Sequence, residues 1–541
     1  MPTKRRLIAI WICFWLLTIV LYRHGYGSQF VDDYIAGIIR FMDEGWAGFA
    51  DSYDFPSLYY GHNLVFYGFY SLFGSSALAW FLLFTGLHSL NATLAFGFIK
   101  RLFVTHNFPA ATSGALITSL LFLVSPYQVE NVVWGATVHY AVSMLCLWTM
   151  AWLYVGYVDS GKVWKLLVCY IVFAFSLLTL EISLVFPGIL LLLSGWLWKP
   201  TKSIANLFSH TFTLILPMGL IILLYFGATY LLKGHVIGHY GSDTHLQFQA
   251  EQLLGSFWQY LAKLLGFVHY FPYPFREFVY LKLRTPMVAF GMLVACLVLW
   301  LVLWKYRKPI AWFVLGWMGV VFIALLPVLN MYFMYLNQGE NDRLSYLASV
   351  FIYAIPALLL MWFARRWLWV YGIVMIGVSI ILLQVQTSKW EHAAHIQHQA
   401  ADSPLFYGTT GNIYLLNLPC YYNGVYIYRT ALRLQWARQF YGLPDLSNQL
   451  KYVVSSNMHT PTDSVIVESW PEPNTFKVEL SVWGNWLWYN MNGALSRQDV
   501  DMTVTIDEWA HSYILYLPNL KPEDKLLYFT QNGWQEYKRS N

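Results

Sequence analysis

The sequence predicts a polytopic α-helical membrane protein of about eleven transmembrane helices, with further helices at the membrane surface and a small C-terminal extracytoplasmic α/β domain. Three observations carry that prediction. Hydrophobic residues make up 58% of the 541-residue chain and charged residues only 11%, a balance no soluble domain of this size shows. Long apolar runs recur along the chain as far as Gln384, and roughly 20 helical residues cross about 30 Å of hydrocarbon. The basic residues between the runs fall in clusters: Lys4-Arg5-Arg6, Lys100-Arg101, Lys162 with Lys165, Lys199 with Lys202, Lys305 with Arg307-Lys308, and Arg365-Arg366. Each cluster lies at the N-terminus or in a short break, the one-sided distribution that sets topology.

With the clusters taken as cytoplasmic, the spans fall near 7–22, 76–99, 111–126, 136–157, 166–180, 182–198, 211–232, 286–304, 309–328, 346–363 and 367–384. An odd number puts the N-terminus inside and the C-terminus outside. The expected location is a bacterial inner (plasma) membrane. The first run reads as a retained helix, because Gly25-Tyr26-Gly27 is a weak cleavage site and many spans follow. The fifth and sixth spans meet at Leu180-Glu181-Ile182, which predicts a tight hairpin with Glu181 at its outer tip. A net charge of +5 is modest and gives no reason to invoke nucleic acid. Cys13, Cys146, Cys169 and Cys296 fall in spans and Cys420 stands alone in the tail, so no disulfide framework is expected.

The outer segments come next. In the first loop, residues 23–75, Ile35, Ile38, Ile39, Met42 and Trp46 recur at helical spacing, with Arg40 and Glu44 on another face. That is an amphipathic helix lying flat in the interface. Ser57 to Phe73 reads as a second juxtamembrane helix; as a twelfth span it would move Lys100-Arg101 outside. A second outer loop, Lys233 to about Thr285, carries four histidines and the run His269-Tyr270-Phe271-Pro272-Tyr273-Pro274. Beyond Gln384, Trp390 to Ala401 reads as a short helix leaving the membrane, and Val425 to Phe440 turns into a helix. Strands are expected at Ile413–Leu418, Val465–Val467, Thr475–Val482, Val500–Ile506 and Ser512–Leu517. The domains are then 1–390 in the membrane and 391–541 outside it.

Four outer-facing signals carry candidate chemistry. They are Asp32-Asp33, the segment Ser125 to Trp134 with Glu130, Glu181 in Thr179 to Pro187, and Asp342-Arg343 opening the tenth span. Ionisable residues at membrane depth are costly and usually functional. One of Asp32 and Asp33 suffices to cap the following helix, so the pair favours chemistry. Asp33 is the favoured base of the two, because it directly precedes the amphipathic helix.

The combination resembles the GT-C fold glycosyltransferases, membrane enzymes that take a sugar from a polyprenyl-phosphate carrier, and within them the protein O-mannosyltransferase-like group. Asp32-Asp33-Tyr34 matches the acidic motif of that family's first outer loop. Pro126, Glu130 and Trp134 match its proline, glutamate and tryptophan. Glu181 and Pro187 match a lysine-glutamate pair opening a span that reaches a proline, with Leu180 in place of the lysine. Arg343, Tyr346 and Ser349 match its late arginine-tyrosine element, and Gly86 to Ala92, containing His88, also looks familial. Phe55-Pro56-Ser57-Leu58 stands where an arginine-proline-leucine is usual. Asn417-Leu418-Pro419 and Gly424-Val425-Tyr426 are similar to the tails of bacterial relatives. The resemblance covers about residues 1–390. It implies an inverting transferase that moves a sugar from a polyprenyl-phosphate donor to a hydroxyl of a protein, glycan or lipid acceptor. Asp32 or Asp33 is then the general base. Arg343 holds the donor phosphate, and Glu130, Glu181, Tyr346 and His88 surround the substrate. The cofactor expectation extends no further than a divalent cation, and no metal ligand set is assigned.

Other signals are weaker. His235, His239 and His245 read as a solvated loop, and His392, His395 and His398 as an amphipathic surface. His88 also fits a packed, hydrogen-bonded histidine, and Glu130 or Glu181 a simple partner for Arg343 or Arg40. The sequon Asn91-Ala92-Thr93 lies inside a span. A transporter or flippase for lipid-linked sugars is the main alternative; it predicts acids near the midplane, broken helices and two related halves. A membrane scaffold presenting the tail leaves the acids and Arg343 unexplained.

Overall fold

Apolar runs interrupted by glycine, proline and basic residues fold as a series of helices in the structure, a computed structural model. It describes residues 4–32, 39, 42, 45, 58–197, 204–236, 249–306, 308–331, 341–428, 431–458, 465–480, 485–488, 496–498 and 500–539. Two units result, each taken by itself: Met1–Arg23 with Ala50–Val132 and Thr137–Val385, and His24–Phe49 with Val133–Ala136 and Gln386–Asn541.

The first unit is helical. Its elements are α1 (Lys4–Leu21), α2 (Tyr60–Phe73), α3 (Ala77–Thr105), α4 (Ala111–Leu123), α5 (Val129–Val133), α6 (Val138–Ser160), α7 (Val163–Leu177), α8 (Phe186–Leu197), α9 (Ile204–Lys233), α10 (Ala250–Gly266), α11 (Tyr273–Arg284), α12 (Pro286–Tyr306), α13 (Lys308–Leu329), α14 (Tyr346–Phe363) and the first half of α15 (Leu368–Ala401). Each of the eleven expected spans is met by a helix. Among the described residues, seven helices are long and apolar enough to cross a membrane. An eighth is added if Ala111–Leu123 and Pro126–Val133, bent by 53°, count as one broken span. Helices α7 and α8 are apolar but shorter, and α1 opens on Lys4-Arg5-Arg6.

Burial sorts these helices. The most apolar window of Ala77–Thr105 is 72% buried and that of Asp342–Phe363 is 78% buried, whereas that of Pro286–Lys305 is 6% buried. Leu293, Val294, Leu297, Leu301 and Val302 therefore point outward. An apolar surface of that extent, all round a helix, belongs in lipid. The protein is an integral membrane protein. Inside the unit, small residues let helices approach closely. A Cβ at Gly114 of α4 would collide with Met361 Sδ of α14, and one at Gly372 of α15 would sit 2.8 Å from Ile117 Cδ1. At one end, Arg101 pairs with Asp159 at 2.9 Å and Lys165 Nζ donates to Gly156 O at 2.8 Å. Two of the basic clusters thus lie at the same end, as one-sided placement requires.

Three expectations are corrected here. The stretch from Lys233 to Thr285 is not a loop throughout, since α10 and α11 occupy much of it. Leu253, Leu254, Phe257, Trp258 and Leu264 recur at helical spacing and give α10 an apolar face. Trp390 to Ala401 is not a separate exit helix: α15 runs unbroken for 34 residues. The third span ends at Leu123, and Ser125 caps a new turn through Pro126. The amphipathic helix expected over Ile35–Trp46 lies outside the described residues, except for 39, 42 and 45.

The second unit holds three sheets and α16 (Ala431–Phe440). The strands are β1 (Ile413–Leu415), β2 (Leu418–Tyr422), β3 (Val425–Tyr426), β4 (Leu450–Tyr452), β5 (Ser455–Met458), β6 (Val465–Ser469), β7 (Thr475–Leu480), β8 (Trp486–Trp488), β9 (Ser496–Gln498), β10 (Thr503–Ile506), β11 (Ser512–Tyr516), β12 (Lys525–Thr530) and β13 (Gly533–Glu536). Sheet orders are β13-β12-β1-β4, β3-β2-β5-β8 and, fully antiparallel, β6-β7-β11-β10-β9. Alternation along β7 drives Phe476, Val478 and Leu480 into a core with Val504, Tyr513 and Leu515. Lys477 and Glu479 stay outside and pair at 2.5 Å. This is the mixed α/β domain the sequence predicts.

The β10–β11 turn is held by one carboxylate. Asp507 accepts backbone N–H bonds from Trp509 at 2.8 Å, His511 at 3.2 Å and Ser512 at 2.6 Å, and the Ser512 hydroxyl at 2.7 Å. Burial works to raise its pKa, but these bonds prevail and hold it below the ordinary carboxylate value. A depressed pKa stabilises the fold above the unfolded value of about 4 and loses that stabilisation as pH falls through the folded value. Asp507→Asn is therefore expected to cost less than about 1 kcal/mol at pH 7, because the carboxylate is partly solvated. In thermal unfolding of the full-length protein, its gap from wild type should narrow as pH falls below about 4; an unchanged gap at the lowest pH the protein tolerates would contradict the assignment.

Candidate functional site

The end of the first unit opposite Arg101 and Asp159 gathers the buried charges. Tyr22, just past α1, donates its hydroxyl to Leu123 O at 3.2 Å, at the end of α4. The chain bends there. Ser125 bonds the Tyr353 hydroxyl at 2.7 Å, and Gln128 donates to Ser349 Oγ at 3.0 Å, so the turn is pinned to α14. Helix α5 then presents Glu130, which is 4% exposed. On the facing segment, Asn341 adopts a left-handed φ of 60° and starts a 3-10 turn, Asp342–Ser345, that leads into α14.

Two ion pairs meet at this point. The Arg343 guanidinium pairs with Glu130 Oε1, and the Arg343 backbone N–H donates to Glu130 Oε2 at 2.7 Å. One residue earlier, Asp342 Oδ1 takes Lys263 Nζ of α10 at 2.5 Å, with both side chains almost wholly buried. Among the described residues these four charges form two pairs of opposite sign, which is how buried charge is tolerated. The Lys263 ammonium also lies 5.3 Å from the centre of the Tyr127 ring. Burial raises the pKa of Tyr260, Tyr270 and Tyr280, and the negative charge of Asp342 adds to it. These phenols are therefore neutral hydrogen-bonding groups. Burial also lowers the pKa of Arg276, which donates to His269 O at 2.9 Å.

Two polar side chains beside these pairs are unsatisfied. The Tyr127 hydroxyl and both amide atoms of Asn131 are buried and have no hydrogen-bond partner among the described residues. Buried polar groups in folded proteins are nearly all bonded. Their position next to Glu130 and Lys263 suits a polar ligand.

The remaining expected residues stand as follows. Glu181 opens a 3-10 turn between α7 and α8 and accepts the Tyr225 hydroxyl at 3.3 Å. His88 Nδ1 and the Tyr346 hydroxyl bond each other at 3.0 Å, both deep in the unit. Asn91 donates to Ala141 O at 2.9 Å and is buried. Asp32 belongs to the second unit and is 2% exposed, with a left-handed φ of 52°. Asp33 and Arg40 lie outside the described residues. Lys263 was missed by sequence reasoning, although the apolar face of α10 could have marked that helix. Among the described residues, no three His, Cys, Asp or Glu side chains gather to hold a metal.

Comparisons add little to this picture. No family model matches the chain, and no curated protein matches it. Among solved structures, the chain is similar to ArnT from Cupriavidus metallidurans in the apo state, at 14% identity. The match covers 93% of this chain and 97% of that one, with a TM-score of 0.33. Likeness at that level carries no argument for function, so the residues themselves must carry it.

Proposed function

We propose that the protein is an integral-membrane glycosyltransferase that moves a sugar from a polyprenyl-phosphate carrier to an acceptor hydroxyl on the outer side of the membrane. The observation that carries this reading is the buried double ion pair Glu130–Arg343 and Asp342–Lys263, set beside two unsatisfied polar side chains at one end of an apolar bundle. Costly charge at membrane depth marks function, and a lipid-borne phosphate and a water-borne acceptor can meet only near such an end. The GT-C resemblance of the sequence points the same way.

The chemistry is a single displacement. The acceptor oxygen bonds to the anomeric carbon, the bond from that carbon to the phosphate oxygen breaks, and the configuration inverts. The acceptor proton passes to an aspartate of the Asp32-Asp33 pair. The charge left on the polyprenyl phosphate is met by Arg343, whose planar fork suits phosphate oxygens. Glu130 and Glu181 are proposed to contact substrate, while His88 and Tyr346, bonded to each other, steady the start of α14. The burial of Asp32 shields its carboxylate, which favours Asp33 as the base.

Arg343→Lys keeps the charge and loses the fork. It is expected to weaken donor affinity about tenfold and to slow transfer from purified donor in detergent. Wild-type affinity and turnover would rule out the phosphate role.

A second reading has one observation in its favour. The 53° break between Ala111–Leu123 and Pro126–Val133 is the kind of discontinuous helix that transporters use around a substrate. A flippase would move the donor across a bilayer intact, a result that transfer chemistry excludes.

A further inference from the structure

Within the second unit, the backbone leading to the acid pair is gripped by a single amide. Gln397 of α15 donates its Nε2 to Phe30 O at 3.0 Å and accepts the Asp32 N–H on Oε1 at 3.0 Å. Those two backbone groups flank Val31, so the side chain pairs with the loop as a neighbouring strand would. Gln397 is 1% exposed. Its own position is fixed from behind: its amide nitrogen also donates to the Tyr441 hydroxyl at 3.2 Å, and its backbone carbonyl takes the Tyr428 hydroxyl at 2.6 Å. Trp134 Nε1 holds Val31 O at 2.7 Å, and the Phe30 ring packs on Phe440 at 5.0 Å. Upstream, His24 Nδ1 bonds Glu391 Oε2 at 2.8 Å, one more tie between the loop and α15.

This much fixation is needed. Asp32 sits at a φ of 52°, a conformation that costs an L-residue free energy and persists only where its surroundings impose it. Asp33 follows one peptide bond later. We infer that Gln397 is the positioning residue of the acid pair: its bidentate amide holds the strained Val31–Asp32 backbone from which the pair extends. The inference rests on the reading that the general base lies in that pair.

Only an amide does both jobs. Glutamate at position 397 accepts from Asp32 but cannot donate to Phe30, and methionine does neither. Gln397→Met is therefore expected to lower kcat about 10- to 100-fold with donor KM within about twofold, because misplacement of a reacting group acts on the chemical step. Gln397→Glu should fall similarly. It should also move the acidic limb of the kcat–pH profile upward, since a second carboxylate disfavours ionisation of a neighbouring aspartate. Coupling provides the control. In the background of whichever of Asp32→Asn and Asp33→Asn loses transfer, Gln397→Met should cost less than about twofold more, because no base remains to be positioned.

A merely structural glutamine would add its full loss in that background and leave the pH limb of Gln397→Glu in place; either result overturns the inference. Wild-type kcat in both Gln397 variants overturns it as well. Should Gln397→Met fail to accumulate, the pH limb of Gln397→Glu decides alone. If both aspartate variants transfer sugar at the wild-type rate, the base reading itself has failed, a distinct outcome that removes the basis for a positioning role.

Discussion

Asp33→Asn is expected to lower sugar transfer from a polyprenyl-phosphate donor by about 10²- to 10⁴-fold while donor binding survives. The amide keeps the shape of the side chain and removes its basicity, and loss of one general base costs about that much. Asp32→Asn should be milder, because Asp32 is buried and its left-handed backbone is one that asparagine also tolerates. Rates measured separately with purified donor in detergent check both statements. A severe loss in Asp32→Asn alone would move the base to Asp32. Wild-type rates in both would leave the pair without a catalytic role.

The second large effect concerns folding. Lys263→Met removes the cationic partner of the Asp342 carboxylate inside the helical unit, where Lys263 and Asp342 are 3% and 2% exposed at their side chains. Breaking a buried pair by removing one partner costs about 3–5 kcal/mol, far more than replacing both. The single variant should therefore show a clearly lowered thermal midpoint in detergent, and Lys263→Met combined with Asp342→Asn should recover most of it. A midpoint equal to wild type in the single variant would show that the pair does not hold α10 to the start of α14.

Much of the membrane architecture was legible because lipid imposes strong rules on sequence. Every expected span reappears as a helix, since an apolar run cannot leave its backbone groups unsatisfied in hydrocarbon. What escaped was structure whose pattern the composition hides. The α10 helix sets Gln252, Gln259 and Lys263 on a face apart from its apolar one, and with Glu251 they make the segment too polar to read as a span. Strand β5 is Ser455 to Met458 and is buried throughout, with the Ser456 hydroxyl 3.4 Å from Asn417 O, so no polar–apolar alternation marks it. Strands β7 and β11 were readable because one face is wet and alternation survives.

The candidate site was legible by residue type and not by pairing. Glu130, Glu181 and Arg343 stand out as charges in apolar surroundings. That Arg343 faces Glu130 across 213 positions of sequence, or that Gln397 reaches Asp32 across 365, depends on folding that no local pattern records. Gln397 is an ordinary helix residue in the sequence, and only its two bonds to the loop distinguish it.

The central claim is transfer rather than transport. The direct test reconstitutes the purified protein in liposomes with a polyprenyl-phosphate sugar and a hydroxyl acceptor, and follows both sugar transfer and movement of the intact donor between leaflets. The account predicts glycosylated acceptor and free polyprenyl phosphate in equal amounts, with product lost in the critical aspartate variant. Movement of intact donor across the bilayer, with no sugar released to any acceptor, would contradict it.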